Sequence, residues 1–129
     1  MNRLSRQYPH AALTGEIIAA AIEVQAVLKP GLDEKLYENA LCIELEERGL
    51  PFSQQPEFPV DYKSRHVGKL RPDLIVEERV IVDAKMAEAF TRAHEAQILG
   101  YLAITGLTVG LLLNFKTIPL GKKRIAKTL

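Results

Sequence analysis

The chain has 129 residues, is 47% hydrophobic, and carries 17 Lys and Arg against 16 Asp and Glu. That suits one globular domain with a single core, and the near-zero balance says nothing about partners, since a nucleic-acid binder needs its basic residues clustered and not merely present. One cysteine, Cys42, excludes a disulfide framework or a thiolate metal site within the chain, and the absence of tryptophan argues against a base-stacking platform.

The start, MNRLSRQYPH, lacks the apolar core of a signal peptide. No apolar run is read as reaching transmembrane length. A soluble protein in a reducing, cytoplasmic compartment, with no membrane partner, is therefore expected.

Residues 1–12 read as a loose lead-in. Thr14 is the expected cap of a first helix through IIAAAIEVQAVL, which Lys29-Pro30-Gly31 ends. A second helix is expected from about Asp33 to Arg48, with Gly49 as its stop and Pro51 beyond. From Gln54 the period changes to that of strands. PEFPVDYKS alternates Phe58, Val60 and Tyr62, and Ser64-Arg65 reads as a turn into His66-Val67-Gly68. Leu74-Ile75-Val76 and Val80-Ile81-Val82 read as two short strands joined at Glu77-Glu78-Arg79. A third helix is expected over about Thr91–Thr105, ended by Gly106, and TVGLLLNF then reads as a buried strand. The basic tail GKKRIAKTL reads as loosely ordered, with Lys122, Lys123, Arg124 and Lys127 either solvated or neutralising phosphates. The order α-α-β-β-β-α-β implies a mixed sheet flanked by helices. The crossover helix implies a final strand parallel to a neighbour. The whole chain, 1–129, reads as a single domain, with 1–12 and 121–129 loosely ordered.

The chemistry concentrates in RPDLIVEERVIVDAKM. Strands this apolar are usually buried on both faces, and a charge buried there costs several kcal/mol unless it is paired or bound to metal. Asp83 and Lys85, two apart, project to one side, with Ala84 turned away. A hairpin centred on Glu78 brings Asp73 roughly opposite Asp83. Two such carboxylates repel unless a cation sits between them. All-oxygen ligands suit Mg²⁺ or Mn²⁺, and a neighbouring lysine can orient or help deprotonate a water for phosphodiester cleavage.

Pro72-Asp73 followed ten residues later by Asp83-x-Lys85 resembles the PD-(D/E)XK signature of the restriction-endonuclease-like nuclease superfamily. In addition, Gly31-Leu32-Asp33-Glu34-Lys35-Leu36-Tyr37 matches G-x-x-E-x-x-Y, the motif of the small GxxExxY family of that superfamily. The resemblance continues through LTGEIIAAAIEVQ, ELEERGLPFSQQ, VGKLRPDLIVEERVIVDAK, HEAQILGYLAITG and GLLLNF, from residue 13 to about 115. It departs at Gln25, where histidine is favoured, and at Asp83, where glutamate is common. It implies an αβββαβ core with an extra N-terminal helix, Asp73 and Asp83 as metal ligands, and Lys85 serving the attacking water.

Glu34 shares a helical line with Leu41 and Leu45, so it is expected to face inward and complete the acidic cluster, with Glu38 as the alternative. His94, Gln97 and Tyr101 share one face of the third helix. Gln97-x-x-x-Tyr101 resembles the Q-x-x-x-Y element of exonuclease-like branches, which implies that Gln97 orients the lysine or a phosphate and that Tyr101 contacts the nucleic-acid backbone. The plainer alternatives are a core tyrosine and a hydrogen-bonded structural histidine. Arg71 is either a phosphate clamp or an ordinary partner of Glu77 or Glu78.

Together these features imply a divalent-metal-dependent nuclease using Mg²⁺ or Mn²⁺, with DNA favoured over RNA as its partner. The alternatives are a non-catalytic nuclease-like module that binds nucleic acid or protein, and a small α/β domain whose acids merely pair with Lys85 and Arg71. So small a core has little room for a target-recognition domain. A homodimer or a partner protein is therefore an open possibility, with the two-helix front end and TVGLLLNF as candidate surfaces.

Overall fold

The computed structural model describes residues 8–127, so residues 1–7 and 128–129 of the two expected loose ends lie outside the described residues. Helices α1 (Ala11–Leu28) and α2 (Glu34–Glu47) come first. Strands β1 (Phe52–Gln54), β2 (Phe58–Tyr62), β3 (Arg65–Leu70), β4 (Leu74–Val76) and β5 (Val80–Lys85) follow, then α3 (Arg92–Thr105), β6 (Val109–Asn114) and β7 (Gly121–Ala126).

Five strands form one sheet in the order β1-β4-β5-β6-β7. Only β5 and β6 run parallel, as the α3 crossover requires, and the other pairs are antiparallel. Alternation along the strands builds two cores. Leu74, Val76, Val80, Val82, Ala84, Leu111 and Leu113 face α1 and α2. Ile75, Ile81 and Leu112 face Ile98 and Leu102 of α3.

Several expectations change here. The strand that completes the β-β-β run in the main sheet is Phe52–Gln54, while Phe58–Tyr62 pairs with Arg65–Leu70 in a separate hairpin. The stretch 121–126 is an ordered edge strand rather than a loose tail, because Ile125 packs into the α3-side core. Helix α1 begins at Ala11, not after Thr14, whose hydroxyl donates to the Ala11 carbonyl inside the helix at 3.0 Å. The TVGLLLNF strand is covered on both faces and edged by β5 and β7, so it offers no interface.

α1 is also long and apolar enough to cross a membrane by length and composition, contrary to the sequence expectation. Its inner residues, Ile17, Ala20, Ala21 and Val24, are buried in the α1–α2-side core.

Two tight turns position the site. Val76 pairs with Val80 around Glu77 and Glu78, both at positive φ, and the Arg79 N–H donates to the Val76 carbonyl at 3.0 Å. Such paired positive φ values match the right-handed twist of a hairpin. Gly31, at φ 119°, carries the chain from α1 into α2.

Gly110 of β6 lies directly under Ile98, and a Cβ there would overlap the Ile98 Cγ2 methyl. Ile98 is fully buried and its β-branched side chain has little rotamer freedom. Gly110→Ala is expected to lower stability by about 1–3 kcal/mol through overpacking, read as a fall in the urea midpoint at unchanged slope.

Candidate active site

The β4–β5 register pairs Leu74 with Val82, so the next cross-strand pair is Asp73 and Asp83. Each carboxylate caps the partner strand's backbone where the ladder ends. The Asp73 N–H donates to Asp83 Oδ1 at 3.1 Å, and the Ala84 N–H donates to Asp73 Oδ2 at 2.9 Å. Asp83 is 2% exposed, while Asp73 is half-buried. Burial, followed by the charge of Asp83, pushes the Asp73 carboxyl up to about 7 against the hydrogen bond from Ala84. Burial pushes Asp83 up to about 6, opposed by the Asp73 N–H and by Lys85.

Lys85 lies two residues on, on the same face. Its Nζ stands 3.9 Å from Asp83 Oδ2 and donates to Gln97 Oε1 at 3.1 Å. The helix that covers this face thus sets the lysine's direction through one amide. Tyr101, one turn further along α3, is half-buried. Desolvation, then the charges of Asp83 and Asp73, push its phenol up to about 12.

The two glutamates of α2 take different places. Glu34 is exposed rather than inward. As the first residue of α2 it overhangs the sheet end, where its Oε1 accepts the Met86 N–H at 3.2 Å. Glu38 is buried and holds Lys35 Nζ at 2.8 Å, Gln54 Nε2 at 2.7 Å and Gln55 Nε2 at 3.2 Å. Both still act electrostatically on Asp73 and Asp83.

Gly31, Glu34 and Tyr37 now have a local physical account. Gly31 supplies the positive φ and Glu34 ties α2 to the end of β5. The Tyr37 hydroxyl donates to the Lys29 carbonyl and accepts the Leu32 N–H, while its ring stacks on Phe115 at 4.9 Å between centroids. Tyr37→Phe leaves both backbone groups unpaired and is expected to cost about 1–3 kcal/mol, measurable by chemical denaturation.

Arg71 pairs with Glu57 at 2.9 Å, not with Glu77 or Glu78. His94 closes a capping box: its Nδ1 accepts the Thr91 N–H at 3.1 Å, and its own N–H donates to Thr91 Oγ1 at 3.1 Å. Lys123 is bound by Glu95 at 2.9 Å, and Arg124 donates to the Pro9 carbonyl at 2.6 Å, so half of the basic run has structural partners.

Two buried polar residues, Asn114 and Gln25, brace the elements around the site. Asn114 lies opposite Lys85 in the register. Its Nδ2 donates to the Ala87 carbonyl at 2.7 Å and its Oδ1 accepts the Ala87 N–H at 3.2 Å, which fixes the loop after β5. Gln25 donates to the Phe115 and Thr117 carbonyls at 3.0 and 2.8 Å, so it anchors α1 to the chain beyond β6.

Among the described residues no three His, Cys, Asp or Glu side chains form a ready-made metal cluster. What the site presents is a facing carboxylate pair with one oxygen on each, Asp73 Oδ1 and Asp83 Oδ2, that accepts no hydrogen bond among the described residues. Two hard oxygens freed by the backbone bonding of their partners fit a small divalent cation that keeps several of its own waters.

A family model described as the PD-(D/E)XK nuclease superfamily matches residues 11–127. Among solved structures, the crystal structure of SSO0001 superposes with a TM-score of 0.60 at 16% identity, covering 98% of this chain and 61% of that one. An alkaline exonuclease from Laribacter hongkongensis is similar at a TM-score of 0.43 and 12% identity, covering 98% of this chain and 75% of that one. The chain thus spans about three-fifths of the length of SSO0001. No curated protein matches it.

Proposed function

The chain belongs to the PD-(D/E)XK nuclease superfamily, and from that premise we propose that it is a divalent-metal-dependent phosphodiesterase that cuts nucleic acid, DNA in preference to RNA. We further read Gly31–Tyr37 as placing it in the GxxExxY branch.

One observation carries the proposal: the buried Asp83 and the half-buried Asp73 oppose each other, with Lys85 the one cation beside them among the described residues. A fold that merely needed stability gains nothing from this pair, because desolvation penalises both charges near neutral pH. Asp73 and Asp83 would hold Mg²⁺ or Mn²⁺, with Glu34 at the rim. Bound there, the ion would supply Lewis-acid stabilisation of charge developing on a phosphate.

The remaining work belongs to the chain's own side chains. Gln97 Oε1 accepts from Lys85 Nζ and so holds the ammonium on the acid face. The lysine is placed to orient the attacking water and to steady negative charge as it forms. Tyr101 keeps its proton and offers a hydroxyl toward the substrate backbone.

A second reading, a nuclease-like fold that only binds nucleic acid or protein, draws on the two-carboxylate ligand set. Incubating supercoiled plasmid and a labelled RNA with the protein, in Mg²⁺, Mn²⁺ or EDTA, separates the two. Metal-dependent nicking that disappears in Asp73→Asn supports the enzyme. Equal nicking by wild type and Asp73→Asn marks a contaminant, and no cleavage of either substrate favours the binding module.

A further inference from the structure

The β2–β3 hairpin stands apart from the main sheet. Its base is tied to the site. The Gln55 N–H donates to the Asp73 carbonyl at 2.8 Å, and the other arm runs from Leu70 through Arg71 and Pro72 directly into Asp73. From Phe58, packed against the α3-side core, the strands leave the body of the protein. Six residues of strand extend about 17 Å or more at the usual rise.

Charge and exposure separate base from tip. At the base, Lys69 and Arg71 are both paired with Glu57. At the tip, Lys63 and Arg65 have no acidic partner among the described residues, and Lys63 Nζ lies 5.3 Å from the Tyr62 ring centre. Tyr62 is 62% exposed and Val67 63%. Lys63 and Ser64 both take positive φ, 49° and 65°, in a two-residue turn between Tyr62 and Arg65. Paired positive φ values are those of the favoured two-residue hairpin turn, and residues 61–67 around it are all exposed.

We infer that the β2–β3 hairpin is the arm that grips double-stranded DNA: a two-stranded ribbon seated in a groove, with Lys63 and Arg65 on the phosphates and Tyr62 against the groove wall. A major groove admits a two-stranded ribbon, and unpaired cations at its tip match the one charge every duplex offers. Anchorage of the ribbon on Asp73 couples where the duplex sits to where it is cut. The choice of DNA as occupant rests on the nuclease reading above.

The test is fluorescence anisotropy of a labelled DNA duplex in EDTA, across a salt series, with wild type and Lys63→Glu/Arg65→Glu. The expected result is at least a tenfold loss of affinity. The slope of log affinity on log salt should fall by about 0.9 for each phosphate contact removed. The variant should keep the wild-type melting temperature and its response to Mg²⁺. Equal duplex binding by variant and wild type overturns the proposal, as does failure of wild type to bind duplex. Hairpin-dependent binding confined to single strands or to RNA also overturns it. Nicking assays on Asp83→Asn report separately. If that variant nicks as wild type does, the catalytic reading falls while the anisotropy result still decides the hairpin.

Discussion

Asp83→Asn is expected to raise the melting temperature of the metal-free protein at pH 8 and to abolish the stabilisation expected of Mg²⁺ on the wild type. The sign follows from burial. Folded Asp83 and Asp73 titrate at about 6 and about 7, above the ordinary 3.8. A raised carboxyl favours folding below its unfolded pKa, and that contribution is lost as pH climbs through the folded values. Metal-free wild type is therefore expected to be more stable at pH 5 than at pH 8, with the decline falling between about pH 4 and 7. Asparagine at 83 removes one charge while its amide oxygen can still accept the Asp73 N–H, so the loss shrinks by on the order of 1–3 kcal/mol. A divalent cation neutralises the same pair, so Mg²⁺ should stabilise wild type at pH 8 and much less at pH 5. Thermal denaturation of both proteins at the two pH values, with and without Mg²⁺, checks every sign. A wild type more stable at pH 8 than at pH 5 without metal would show that the acids are not the strained pair described.

Lys85→Ala is expected to stop the proposed cleavage without loss of metal binding. Lys85 touches Gln97 and lies near Asp83, but it caps no backbone group at the Asp73–Asp83 pair. Its loss should leave the Mg²⁺ response of the melting temperature in place. Removing a preorganised charge at the reacting centre typically costs about 10²–10³ in rate, which single-turnover nicking would read. Gln97→Ala should cost less, because it redirects the lysine rather than deleting it, and a partial loss there ranks the two roles. A Lys85→Ala protein that nicks at the wild-type rate would move the chemistry elsewhere.

The sequence carried the centre of the site because strand geometry is strict. Alternation put Asp83 and Lys85 on one face, and the short turn at Glu77-Glu78 set the register that opposes Asp73 to Asp83. Gly106 marked the end of α3, where it takes the left-handed C-cap conformation, while Thr91, expected as the helix's first residue, is its N-cap. What escaped is equally physical. β1 is three residues long, mostly exposed and polar, and exists only because β4 offers it an edge. β7 hides a strand behind charges, since one residue, Ile125, supplies its buried contact. Glu34 lies on the predicted helical line with Leu41, but the helix overhangs the sheet at that end, so the stripe that buries Leu41 leaves Glu34 in solvent. Glu38 sits on the buried side, and its partners Gln54 and Gln55 come from the missed β1 and the turn after it. Asn114 did leave a signal: a lone amide closing the apolar run VGLLLN, where a buried polar side chain needs partners.

The metal centre itself is tested by isothermal titration of Mg²⁺ and Mn²⁺ into wild type and Asp83→Asn at pH 8. Saturable binding by wild type at millimolar concentration or below is expected, with the heat lost in Asp83→Asn. Absence of binding at about 10 mM, or identical isotherms for the two proteins, would contradict a metal centre at Asp73 and Asp83.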